Sequence, residues 1–97
     1  MPTNYRFKPA FQKAFEHLTK EKQLLALKAL EALDQYFKEA KAPYGLRIKK
    51  LYDGGTQKTF EARVSIDIRI VWVQTKEEIV FTLLGTHDDV RRFIKNL

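Results

Sequence analysis

The feature that most limits what this chain can fold into is a strict period of two in its second half. Phe60, Ala62, Val64, Ile66, Ile68 and Ile70 are apolar, and Thr59, Glu61, Arg63, Ser65, Asp67 and Arg69 alternate with them as polar residues. Successive residues of a β-strand point to opposite faces, so this span reads as sheet with one face in a core. Continued to Trp72 as a single strand it would exceed about 40 Å at about 3.4 Å per residue, too long for a small domain. The chain must therefore reverse, and Ser65-Ile66-Asp67 is the expected turn. Parity then fixes the pairing, because residues opposed across a hairpin share a face and their numbers must sum to an even value. A sum of 132 sets Phe60 opposite Trp72, Ala62 opposite Ile70 and Arg63 opposite Arg69.

That register places two guanidinium groups side by side on the polar face. Directly opposed like charges destabilise a sheet, so they need compensation. One source is a bound anion, and the planar fork of arginine suits phosphate. The other is neutralisation by Glu61 or Asp67, or simple splaying into water. Charge placement bears on the choice without closing it. The net charge is +6, and seven cations against three anions fall between Lys41 and Arg69, so most of the excess sits in the middle of the chain. Arg47, Lys49 and Lys50, expected on the strand next to the arginine hairpin, would extend it into a basic floor for a phosphate backbone. His87 follows a strand and Gly85 and stands where a helix begins. There an imidazole can exchange a proton near neutral pH, or merely bond locally to Asp88 or Asp89. Tyr44 and Tyr52 are the aromatics placed for stacking on bases. Phe60 and Trp72 belong to the core, and His17 to a helix edge.

The remaining elements follow from period and punctuation. Asn4–Lys8 alternates as a short strand. Pro9 opens a helix with Phe11, Ala14, Phe15 and Leu18 on one side. Thr19 caps a second helix, carrying Leu27, Leu30, Leu33 and Phe37, which Pro43 and Gly45 end near Lys41. Asp53-Gly54-Gly55 and Lys76-Glu77-Glu78 are turns, Ile79–Leu84 is a strand buried on both faces, and Thr86 or Asp88 caps a last helix with Val90, Phe93 and Ile94. The expected fold is α+β, a single domain over residues 1–97 in the order β-α-α-β-β-β-β-α. Two N-terminal antiparallel helices lie on a mainly antiparallel twisted sheet, with the helices on one face.

Composition narrows the chemistry. The chain has no cysteine, which excludes disulfides, thiol catalysis and thiolate metal sites. With two histidines a metal centre is not expected, nor is any small-molecule cofactor. No apolar run is long enough to cross a membrane. Met1–Arg6 lacks the apolar stretch of a secretory signal, so a cytoplasmic, membrane-free, monomeric domain is expected.

Three segments together, Gly45–Leu51, Phe60–Val71 and Leu84–Asp88, resemble the RelE/ParE superfamily of toxins from bacterial type II toxin–antitoxin systems. The resemblance covers nearly the whole chain and favours the RelE-like branch. It implies a basic domain that binds a cognate acidic antitoxin, acts on mRNA on the ribosome, and inhibits translation as a metal-independent endoribonuclease. In that chemistry a base takes the ribose 2′-OH proton, the oxygen attacks the adjacent phosphate, and an acid protonates the leaving 5′-oxygen. The resemblance puts Arg63, Arg69 and His87 in the catalytic set, with Glu61 as a candidate base, and Arg47, Lys49 and Lys50 on the nucleic acid. It departs from the pattern at the C-terminus, where several members carry a tyrosine and this chain has none beyond Tyr52. The alternatives are a ParE-like DNA gyrase poison and a catalytically weak antitoxin-binding module.

Overall fold

A computed structural model describes residues 4–41 and 44–97 of the chain. Pro43 and the side chain of Tyr44 lie outside the described residues. The elements are β1 (Asn4–Phe7), α1 (Pro9–His17), α2 (Lys20–Glu39), a single 3-10 turn (Tyr44–Leu46), β2 (Lys49–Asp53), β3 (Lys58–Arg63), β4 (Arg69–Gln74), β5 (Glu78–Gly85) and α3 (His87–Lys95). The class is α+β, as the periodicities require. The five strands form one sheet in the order β1-β5-β4-β3-β2, antiparallel throughout except that β1 runs parallel to β5.

Local chemistry sets the boundaries. Pro9 occupies the first turn of α1, where its missing N–H costs nothing. The Thr19 hydroxyl accepts from the Lys22 N–H at 3.3 Å and starts α2. That helix stops at Glu39 because Ala40 turns left-handed, with φ 56°. Thr86 begins α3 through a complete capping box: its hydroxyl takes the Asp89 N–H at 3.2 Å, and the Asp89 carboxylate takes the Thr86 N–H at 2.8 Å.

The β3–β4 hairpin has the register that parity predicts, with Phe60 opposite Trp72, Ala62 opposite Ile70 and Arg63 opposite Arg69. Its even-numbered residues form an inner face against α1 and α2. Trp72, Ile70, Leu33 and Phe37 are essentially buried there, together with Phe11, Ala29, Ile79 and Phe81. Burying each large side chain contributes about 1.5–3 kcal/mol, so this layer fixes the sheet against the helices. Phe60 stacks on Trp72 with centroids 5.6 Å apart, and Phe37 meets the same indole edge-on at 5.5 Å.

The helices do not all lie on one face, contrary to the sequence expectation. Val71, Val73, Val80 and Leu83 point to the outer face by register, and Val71 is nevertheless fully buried. The cover comes from α3, which packs on β4 and β5 through the buried Val90. The physical reason is that β5 is apolar on both sides, so each side needs an apolar partner.

Candidate functional site

The outer face is covered by α3 over β4 and β5, and β3 and β2 follow them in the sheet order. On this face Arg63 and Arg69 are direct cross-strand partners, which sets their Cβ atoms about 4.5–5.5 Å apart. Glu61 stands in the same row two residues along β3, about 7 Å away by strand rise. Its partner on β2 is Lys49. On the other side Arg69 pairs with Gly85, and two residues later His87 opens α3 with an exposed ring. Glu61, Arg63, Arg69 and Lys49 therefore share one sheet surface, and His87 stands at its border.

The two arginines are held differently. Arg69 folds back on the hairpin loop, where its Nη1 donates to the carbonyls of Ser65 at 3.0 Å, Ile66 at 3.2 Å and Ile68 at 3.4 Å. It thereby braces the turn whose backbone closes through Val64 and Ser65 N–H groups bonded to the Ile68 carbonyl. Arg63 has no hydrogen bond or ion pair among the described residues, and it is half-buried. Asp67 does not neutralise either of them. Its carboxylate is taken by Lys22 of α2 at 2.9 Å and by the Ser65 hydroxyl at 2.7 Å, which together hold it below the usual carboxylate range. The like-charge pair thus keeps its field, with Glu61 as the acidic side chain in its row.

Two expected members of the basic floor lie elsewhere. Lys50 is opposite Phe60, so it belongs to the other face of the sheet, and its ammonium is bound to Asp53 at 3.0 Å. Neighbouring residues of a strand point apart, so Lys49 and Lys50 cannot line one floor. Arg47 is exposed but precedes β2, in a left-handed backbone conformation with φ 46°. The pairing of β2 with β3 shifts between Lys50 and Tyr52, which brings Tyr52 opposite Thr59 and onto the same face as Lys49. Tyr52 is 51% exposed there. Its ring passes close to Gly54, where a Cβ would lie 3.0 Å from Cε2, so it both covers the loop and presents a surface.

Gly85 is demanded by the site's own architecture. A Cβ at this position would stand 2.5 Å from Oδ2 of Asp89, so only glycine lets the capping carboxylate seat and start α3 at His87. That carboxylate is held low by the Thr86 N–H first, with the Thr86 hydroxyl and Arg92 adding to it. His17 is outside the site, and its Nδ1 donates to the Lys13 carbonyl at 2.7 Å. Among the described residues no group of three or more His, Cys, Asp or Glu side chains could hold a metal ion, and no helix is long and apolar enough to cross a membrane. The bracing of the hairpin by Lys22 and Arg69 escaped the sequence reading. Its one visible trace is the Ser65-x-Asp67 spacing of the turn.

Comparison with solved structures gives the fold its relatives. The chain superimposes on RelE in the archaeal RelE–RelB complex of Pyrococcus horikoshii with a TM-score of 0.70 at 18% identity, over 89% of this chain and 96% of that one. The YoeB dimer of Staphylococcus aureus matches with a TM-score of 0.66 at 17% identity, over 90% and 99%. The E. coli DinJ–YafQ complex matches with 0.61 at 16% identity, over 90% and 96%. The fold is the RelE-like fold. No family model matches the sequence, and no curated protein does.

Proposed function

We propose that the chain is the toxin of a type II toxin–antitoxin system and that it cleaves mRNA on the ribosome. The observation that carries this reading is the opposed Arg63–Arg69 pair on an outer sheet face, with Glu61 in its row and His87 at its edge. Two of the solved structures with this fold are complexes with partners named RelB and DinJ, which supports an antitoxin partner here, acidic to match the +6 net charge.

Each group has a task in strand scission. Arg63, whose donors are unengaged among the described residues, takes the scissile phosphate and stabilises the charge that builds as the phosphorane forms. Arg69 keeps the hairpin in shape and adds positive potential beside it. Glu61 or His87 removes the 2′-OH proton, the 2′-oxygen bonds to phosphorus, and the 5′-oxygen leaves with a proton from the other group. The products are a 2′,3′-cyclic phosphate and a 5′-hydroxyl. Lys49 and Tyr52 extend the surface along β2 for the neighbouring backbone and base.

The test is cleavage of a defined mRNA on programmed ribosomes by the wild type, Arg63→Ala and His87→Ala. The wild type is expected to cut, and each substitution to slow cutting by 10²-fold or more. Cutting by both variants at the wild-type rate refutes this assignment. Intact mRNA with the wild type, together with accumulation of gyrase–DNA cleavage complexes, transfers the reading to a gyrase poison.

A further inference from the structure

The outward side of α2 carries leucines that no described residue covers. A helix with one buried face keeps polar residues on the other, and α2 buries Ala26, Ala29, Leu33 and Phe37. Yet Leu24 is 61% exposed and Leu27 50% exposed, one turn apart on the side away from the sheet. Lys20 lies four residues before Leu24 and Glu31 four residues after Leu27, both exposed, and neither has an ion pair among the described residues.

This spacing is self-complementary. In a second α2 laid antiparallel about a two-fold axis between positions 25 and 26, Leu24 meets Leu27 of the second copy and Lys20 meets its Glu31. The symmetry repeats both contacts. Moving the pairing by three residues sets Lys20 against Lys28 of the second copy, which repels. An acidic partner is the poorer fit, because Glu31 would oppose it. We infer that this face is a weak two-fold homodimer interface built on Leu24, Leu27, Lys20 and Glu31. It departs from the monomer expected from sequence. The candidate site lies on the other side of the sheet, so both copies keep it open.

A helix pair of this length buries less than a standard stable interface of about 1,200–2,000 Å², so association is expected at tens of micromolar. Sedimentation equilibrium of the purified chain between about 5 and 500 μM reads it. The wild type is expected to show a monomer–dimer equilibrium, and Leu24→Glu to weaken it at least 10-fold while its circular dichroism and melting stay unchanged. Lys20→Glu and Glu31→Lys should each weaken the dimer several-fold, and the double substitution should restore it. A wild type that stays monomeric at 500 μM overturns the inference. So does a dimer that Leu24→Glu leaves intact, or a charge-swapped pair that fails to recover. None of these outcomes bears on RNA cleavage.

Discussion

Replacing Gly85 by alanine tests how tightly β5, the cap of α3 and the position of His87 are joined. The new Cβ would sit 2.5 Å from Oδ2 and 3.0 Å from Cβ of Asp89. Backbone is not in the way, so the carboxylate yields by rotating off. It then loses the 2.8 Å bond from the Thr86 N–H and its pairing with Arg92. Losing half a capping box costs about 1 kcal/mol, and the exposed ion pair adds a few tenths. Gly→Ala recovers about 0.4–1 kcal/mol through the unfolded chain. The net is a loss of about 0.5 kcal/mol, a fall of roughly 2–4 °C in Tm for a chain of this size. Asp89→Ala should cost about 1 kcal/mol, and Gly85→Ala added to it should cost little more, because the carboxylate is gone and only the 3.0 Å contact with Cβ of residue 89 remains. Gly45→Ala is the control, since a Cβ there meets nothing within 4 Å among the described residues. Differential scanning calorimetry of the four variants gives the cycle. Strictly additive losses for Gly85→Ala and Asp89→Ala would falsify the steric argument.

The two arginines should separate in melting experiments. Arg69→Ala removes three bonds to loop carbonyls and is expected to cost about 1 kcal/mol or more, whereas Arg63→Ala should stay within about 0.5 kcal/mol of the wild type; equal melts would remove the bracing role. Tyr5 donates to Asp34 at 2.5 Å, and its pKa is pushed up to about 12, by partial burial first and then by that carboxylate. Its folded value lies above the ordinary 10, so the contribution is whole below pH 10 and disappears as pH rises through about 12. Urea midpoints should therefore fall more steeply between pH 10 and 12 in the wild type than in Tyr5→Phe, and parallel slopes would contradict this.

The sheet and its register were legible because alternation and parity are local properties: once Ser65–Asp67 is the turn, Phe60 has no partner but Trp72. The side taken by α3 was harder. An amphipathic helix after Gly85 can swing to either face, and the deciding signal was the apolar pair Val71 and Val80 outside the main alternation. The candidate site was legible in its charged residues and not in their tethers. Arg69 is held by carbonyls and Asp67 by Lys22, which is 45 positions away in the chain, and neither bond leaves a pattern in composition. Lys50 departs from the expected floor for a simpler reason, since neighbours in a strand lie on opposite sides of the pleat. The shift at Leu51 that turns Tyr52 outward has no glycine to announce it.

The one parallel pairing has a consequence for synthesis. Residues 4–7 find their partners only at 78–81, so β1 waits until β5 has been made. Until then the aromatic side chains of the N-terminal helices have no β-layer to close on, and contacts of such long range are the slow ones to form. A growing chain can hold helical turns but not the finished surface where Arg69 meets Gly85. Whatever this protein does to its target, it begins only after residues 78–81 have been made and paired with β1.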